Sequence, residues 1–516
     1  MSAKGRGVVA AGHEETAEAA AIILREGGTA FDAALSAMAV ACVTEPVLAS
    51  LGGGGFLLAV DSSGSATVYD FFAQTPIRRR AGDVDFRAVL ADFGTTTQEF
   101  HIGFGSIATP GTARGIVEIH RRLGTLPLAV ILEPAIRLAR EGVTITPFQA
   151  YLFSVVAPIY TASSGARACF GGTAHQGTPA AGERLRNPDL ADVLEQLARH
   201  GDEPFYEGDV AVALAKCCRE GGGHLTRRDL ASYRVEIRYP LELEHQGTRI
   251  HLNPPPSSGG ILIAFALRLA ALAGLGSRAH GGGEHLSMLA RIMEKTNKAR
   301  VDSGLEAEGA TASLLDPALV SRYAAEVTGR PASTRGTTHI SVIDAAGNLA
   351  SASLSNGEGC GYVPPGTGIM PNNMLGEEDL SPLGLGRWPT NRRIASMMCP
   401  AAIAWPDGPI AALGSGGSNR LRTAIVQVLV NLLDFGMSIG SAVESPRIHL
   451  ERGRLDIEPG FDTAALERVL QLAESHQQWS APNMFFGGVH AALLDPKDHR
   501  LVGAGDLRRG GAQILV

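Results

Sequence analysis

Cysteine is scarce, and so is the spacing that would make it useful. The six cysteines (Cys42, Cys169, Cys217, Cys218, Cys360 and Cys399) are scattered through 516 residues. No CxxC pair and no Cys/His cluster at zinc spacing occurs, so neither a metal ribbon nor a disulfide framework is indicated. Long hydrophobic runs are missing too: no stretch reaches about 18 uninterrupted apolar residues, and nothing is expected to span a membrane. The opening MSAKGRGVVAAGHEE has no apolar core ahead of its first acidic residues. It does not read as a secretory signal, and the expected location is cytoplasmic. Positive charge is not in excess. With 45 Lys+Arg against 52 Asp+Glu the net charge is −7, which argues against a general nucleic-acid binder. No block of about five or more like charges appears. The densest basic cluster, Arg78-Arg79-Arg80, reads first as a solvated surface run. Internal repeats and low-complexity linkers are also absent, which leaves a mixed globular chain.

Glycine, by contrast, is over-used, at 63 of 516 residues against an average of about 7%. It clusters at LGGGGFLLAV, PPPSSGGILIA, AHGGGEH and LGSGGSNR, each beside a helix or strand pattern. EETAEAAAIILREGG predicts a helix closed by Gly27, followed by a second helix over AFDAALSAMAVACV. GFLLAVDSSGSATVYDFF predicts a hairpin, and a long helical middle follows, ending in ILIAFALRLAALAG and HLSMLARIMEKTNKARV. From Thr337 onward short strands take over, with one strong helix in LRTAIVQVLVNLLDFG. Strands near both ends with helices between them suit a layered α/β fold whose sheets draw on distant parts of the chain.

Four motifs invite functional readings. Gly52 to Gly55 run from a helix into a strand, the reverse of a nucleotide-binding loop, so close packing or a tight turn is the better reading. Gly436-Met437-Ser438-Ile439-Gly440 matches a nucleophile elbow, but a helix precedes it where a strand is needed, and Gly436 sits where a helix cap belongs. LGSGGSNR (Leu413 to Arg420) follows the strand PIAAL and opens a helix; its uncovered backbone N–H groups suit an oxyanion site, and equally a plain turn. RGTTHISVIDAAGN (from Arg335) alternates, with Thr338, Ile340 and Val342 on one face and Thr337, His339 and Ser341 on the other. On pattern alone it is a half-buried edge strand of a hairpin returning through LASASLS. The double threonine raises another possibility. A threonine hydroxyl is a useful nucleophile when its own α-amino group serves as base, which requires Thr to be the first residue of a chain. Gly336 would leave the preceding carbonyl open for such a cut.

Taken with LGGGGFLL, NPPPSSGGI, PGTGIMPNN and LGSGGSNR, the segment TTHISVIDAAGN resembles the γ-glutamyltranspeptidase family of N-terminal-nucleophile hydrolases. The likeness runs from about Val8 to the C-terminus and includes VTEPVLASLGGGGF. It implies a four-layer αββα sandwich made as a precursor and cut between Gly336 and Thr337. Residues 1–336 would be the large subunit and 337–516 the small one, both in one αββα domain. Thr337 would be the nucleophile and its free amine the base, taking the acyl group of a γ-glutamyl amide such as glutathione as an ester for release to water or an amino acceptor. Gly417 and Ser418, with Gly416 adjacent, match the family's oxyanion turn; the pattern has a second glycine where Ser418 stands. The resemblance implies no cofactor and no metal, a small-molecule substrate, and a homodimer of the cleaved heterodimer as one assembly.

Substrate recognition departs from the pattern. Ser355 matches a hydroxyl that orients the nucleophile and Asn356 an Asn that binds substrate, within a residue or two of register. Glu377 stands where the transpeptidases have Asp, and the extra methylene shifts its carboxylate by about one bond length. Ser396 matches the first of a Ser-Ser pair, but Met397 occupies the second position. The arginine for the substrate carboxylate is sought among Arg78, Arg79 and Arg80, with Arg79 and Arg80 as the candidates. The chain between Glu377 and Ser396 is short for a family member with a lid, which favours an open site and hydrolysis. Three readings follow: a γ-glutamyl hydrolase/transferase; an acylase of the same family for an oxamate-like or glutaryl-type amide; or an uncleaved, non-catalytic member.

Overall fold

The computed structural model describes residues 5–92, 97–302, 312–315, 336–380, 384–417 and 420–516. Thirteen strands of the described residues build two antiparallel sheets. They are β1 (Gly7–Ala11), β2 (Gly54–Val60), β3 (Ala66–Asp70), β4 (Glu236–Arg238), β5 (Leu241–His245), β6 (Thr248–Leu252), β7 (Thr338–Asp344), β8 (Leu349–Ser355), β9 (Ala401–Ala404), β10 (Ile410–Gly416), β11 (Gly488–Asp495), β12 (Arg500–Ala504) and β13 (Ala512–Leu515). The first sheet has the order β13-β1-β7-β8-β2-β3-β4, and the second β12-β11-β10-β9-β6-β5. Strands from either side of Gly336 contribute to both sheets.

Helices α1 (Glu14–Arg25) and α2 (Ala30–Thr44) cover the outer face of the first sheet. The outer face of the second sheet carries α3 (Ser258–Ala273) and α4 (Arg420–Leu433). The result is the four-layer αββα arrangement that the resemblance implies. All fifteen residues of α2 are buried, as expected of a helix that is apolar all round. A capping box between Thr29 and Asp32 sets its start. Asp344 at the end of β7 accepts the Ala30 N–H, tying the helix to the hairpin.

The pleat sorts β7 as its alternation predicts. Ile340 and Val342 join the apolar layer beneath α1 and α2, where burial of each side chain stabilises the fold by about 1.5–3 kcal/mol. His339 and Ser341 face the second sheet, where Ser341 donates to the His490 carbonyl at 3.1 Å. One expectation is corrected here. β7 is no half-buried edge strand: it lies between β1 and β8, and all seven of its residues are buried. Its polar face meets a second sheet instead of water, and the polar groups satisfy one another. His339 Nδ1 pairs with the Ser353 hydroxyl at 2.8 Å and Nε2 with that of Ser341 at 3.0 Å. Among the described residues no helix is long and apolar enough to cross a membrane.

The glycine motifs also resolve. A Cβ on Gly55 would lie 2.3 Å from the Ser353 carbonyl oxygen, so the GGGG run is a site of close strand packing. Ser438 is exposed and caps the short helix Ile439–Glu444, its hydroxyl accepting the Ser441 N–H.

Candidate active site

Thr337 directly precedes β7 and shares the parity of His339, so it belongs to the seam between the sheets. Thr337 and Ser355 are both buried, and their hydroxyls converge on one atom, the carbonyl oxygen of Gly336. Thr337 Oγ1 donates to it at 2.8 Å and Ser355 Oγ at 2.9 Å. Ser355 reaches it from the end of β8, where its Oγ also accepts the Gly357 N–H at 3.1 Å. Gly336 has little room for a side chain: a Cβ would meet the Gly357 carbonyl at 3.0 Å and that of Val47 at 3.2 Å. Its N–H donates to Glu358 Oε1 at 3.0 Å.

The second sheet approaches backbone to backbone. A Cβ on Gly416, the last residue of β10, would lie 2.1 Å from the Thr337 carbonyl oxygen. The same oxygen accepts from Arg509 Nη1 at 3.0 Å. Gly417 follows with φ +122°, in the region that favours glycine, and also lies against Arg509. Ser418 lies outside the described residues. Burial and the nearby charge of Arg420 lower the Arg509 guanidinium to about 10, against Asp506 and Glu45, which raise it.

Thr338 points the other way, toward α2. Its hydroxyl donates to Glu45 Oε2 at 2.7 Å, and Thr16 donates to Oε1 at 2.9 Å. Burial pushes the Glu45 carboxyl up to about 7, against the two hydroxyls and the Arg509 charge, which pull it down. Glu45 is also the C-cap of α2, where the helix dipole disfavours a negative charge.

The remaining predicted residues fall in several settings. Glu377 and Asn373 flank Gly357, since a Cβ there would lie 2.2 Å from an oxygen of each. Asn356 is fully buried and donates to the Met370 carbonyl at 3.2 Å. Ser396 belongs to a different turn: its carbonyl gathers the Ser258 N–H and the Ser257 hydroxyl, and its own hydroxyl accepts the Met398 N–H. Arg79 donates to the Trp388 carbonyl and stacks 5.0 Å from that ring, while Arg80 donates to the Arg219 carbonyl at 2.8 Å. Both line a cavity of about 290 Å³ with Arg78, Arg219, His224 and Arg227. Among the described residues, neither arginine hydrogen-bonds to a group around Thr337.

Arg509, Glu45 and Glu358 were not singled out by sequence reasoning. Glu45 lies inside the motif VTEPVLASLGGGGF and Glu358 two residues after Asn356, but nothing local marks them. Arg509 follows Arg508 in a C-terminal turn two residues after the exposed Leu507, and nothing in the local sequence marks it. Among the described residues, no group of three or more His, Cys, Asp or Glu side chains is placed to hold a metal ion.

Two facing antiparallel sheets between helical layers, with a glycine–threonine step opening a central strand, define an N-terminal-nucleophile hydrolase fold. The crystal structure of cephalosporin acylase from Bacillus halodurans superposes with a TM-score of 0.85 at 24% identity, covering 99% of this chain and 96% of that one. The chain belongs to the γ-glutamyltranspeptidase family, whose model matches residues 16–516. It is 31% identical to the Acylase ACY 1 proenzyme of Pseudomonas sp. (strain V22), over 99% of this chain and 94% of the relative. It is 27% identical to the Glutathione hydrolase proenzyme of Escherichia coli (strain K12), over 98% of this chain and 90% of the relative. The family is one of hydrolases and acyl-transferring enzymes.

Proposed function

We propose that the chain cuts itself between Gly336 and Thr337 and that Thr337 then hydrolyses an amide through an acyl-enzyme. The observation that carries this is the Gly336 carbonyl, which accepts from the Thr337 and Ser355 hydroxyls together. Ser355 polarises the carbonyl; Thr337 Oγ1 attacks its carbon; the carbon–nitrogen bond breaks, and the nitrogen takes up the proton that the hydroxyl loses. The product is an ester with a free Thr337 amine. Water cleaves the ester, leaving residues 1–336 and 337–516 as two subunits. The freed amine, with an ordinary pKa of about 7.7–8.0, then serves as base for the same hydroxyl. Gly417 and Ser418 would offer backbone N–H groups to the developing oxyanion.

For the substrate, the first reading is a γ-glutamyl amide, with Asn356 and Glu377 on the acyl group and Ser396, Arg79 or Arg80 as further candidates. The second is an acylase for a different acyl amide, oxamate-like or glutaryl-type. Met397 favours it: a thioether stands where the family pattern has a hydroxyl, and its sulfur takes the Ser258 hydroxyl at 3.3 Å. The relative named as an acylase supports the same reading. The short connection after Glu377 favours water over an amino acceptor, and a several-fold gain in product release with acceptor dipeptides would reverse that preference.

The deciding experiment is the denatured mass spectrum of purified wild type beside Thr337→Ala. Two fragments meeting at the Gly336–Thr337 bond in the wild type, and one chain in the variant, are expected. An intact 53.9 kDa chain in both would make the protein a dormant precursor or a non-catalytic member of its family.

A further inference from the structure

Glu358 stands in the sequence Gly357-Glu358-Gly359, between two glycines with φ of +62° and +92°. These left-handed steps fold the chain back after β8, and a bridge pairs Asn356 with Glu358. The Glu358 N–H is fixed by Asn373 Oδ1 at 2.9 Å. Its carboxylate is thereby returned to the scissile segment, where it accepts the Gly336 N–H at 3.0 Å, and the residue is only 2% exposed.

In self-cleavage the first acyl group that Thr337 carries is the one ending in Gly336. Its carbonyl carbon is the reacting atom, one carbon follows, and the next atom is the nitrogen held by Glu358. A substrate acyl group seated on Thr337 as the Gly336 segment is would meet the same carboxylate at the same distance along its chain. We infer that Glu358 is a specificity residue, selecting acyl groups that carry an N–H one carbon beyond the reacting carbonyl, as α-amino and α-acylamino acyl amides do. The inference rests on the self-cleavage proposed above and sets an acyl group with that N–H against the γ-glutamyl, glutaryl and oxamate-like groups considered there.

The reason is a desolvated acceptor. When the Gly336 segment leaves, Glu358 loses this donor, and a buried carboxylate that loses a donor is costly unless the incoming group replaces it. An N–H at that position replaces it. A γ-glutamyl or glutaryl chain brings a methylene there, and an oxamate-like group brings its own carboxylate against Glu358. Sites built around a substrate N–H discriminate strongly against the analogue that lacks it.

The test compares wild-type enzyme on four p-nitroanilides: N-acetylglycyl, glycyl, propionyl and γ-glutamyl. Propionyl places a methyl where glycyl places nitrogen, so the pair isolates the hydrogen bond. We expect kcat/KM for both glycyl donors to exceed that for propionyl by about tenfold or more. Glu358→Leu, where it matures, should bring the ratio toward unity; where it does not mature, the wild-type ratio decides alone. A cleaved enzyme that takes propionyl as well as the glycyl donors, or takes neither glycyl donor, overturns the inference and leaves self-cleavage standing. A wild-type chain that stays uncut overturns both.

Discussion

On the helix side of β7, Ile340 and Val342 lie in an apolar layer, with Thr338 at one end on the carboxyl of Glu45 and Asp344 at the other on the Ala30 N–H. On the opposite side Thr337, His339 and Ser341 enter a seam of hydroxyls, imidazoles and close backbone between the sheets. The two sides differ in what burial does to them. The apolar side gains from losing water. The polar side would lose by it, were its groups not matched to one another. Burial pushes the His339 imidazole well below its ordinary value, with the charge of His490 acting in the same direction. The imidazole hydrogen bonds of the seam are therefore neutral, and the Gly336–Thr337 step opens onto it. One side anchors the strand while the other presents Thr337, the residue just before it.

The sharpest test of that division acts on the seam. Ser355→Ala removes one of the two hydroxyls on the Gly336 carbonyl and leaves the helix side untouched. Loss of a single donor to a reacting carbonyl slows chemistry by about 10²–10³. Self-cleavage, followed by intact mass over time, should slow by that order with little change in melting temperature. A rate close to wild type would mean that Ser355 only supports the turn at Gly357.

The helix side answers to pH instead. Glu45 is raised in the fold from 4.5 to about 7, so its folded form keeps a proton that the unfolded chain releases. Its contribution to stability is whole below about pH 4.5 and is lost as pH rises to about 7, an effect of roughly 3–4 kcal/mol. Gln mimics the neutral carboxyl, with one acceptor and one donor group. The stability of wild type relative to Glu45→Gln, from urea unfolding, should fall between those pH values and flatten above them. A difference that is flat throughout would place a charged carboxylate beneath Thr338, and the contrast between the two sides would fail.

Much of this architecture is legible in the sequence because it is local. The period-2 alternation from Thr337 to Val342 sorts the side chains correctly, and the helices of EETAEAAAIILR and AFDAALSAMAVACVT appear where their patterns predict. The environment of β7 is not legible. A polar face reads as solvent-facing unless one knows that a second sheet, carrying Gly414 and His490, lies over it. The site divides in the same way. Gly336, Thr337 and Ser355 are found through short motifs, but Glu45 and Arg509 meet this region from 293 and 172 residues away. The arginine triplet shows the converse. Arg79 and Arg80 look like anion ligands in sequence, yet the fold turns them toward Trp388, His224 and Arg219.

The smallest effect is expected farthest from either face. Ser438 lies in a motif that spells a nucleophile elbow, but here its hydroxyl takes the Ser441 N–H at 3.2 Å and donates to the Ser441 hydroxyl at 2.9 Å. That is the work of an N-cap on a helix of six residues. Ser438→Ala should lower stability by about 1 kcal/mol, visible as a small shift in denaturant midpoint, and leave both self-cleavage and amide hydrolysis at wild-type rates. Were hydrolysis abolished while the Gly336–Thr337 cut went to completion, the nucleophile would lie at Ser438, and the seam beside Thr337 would serve maturation alone.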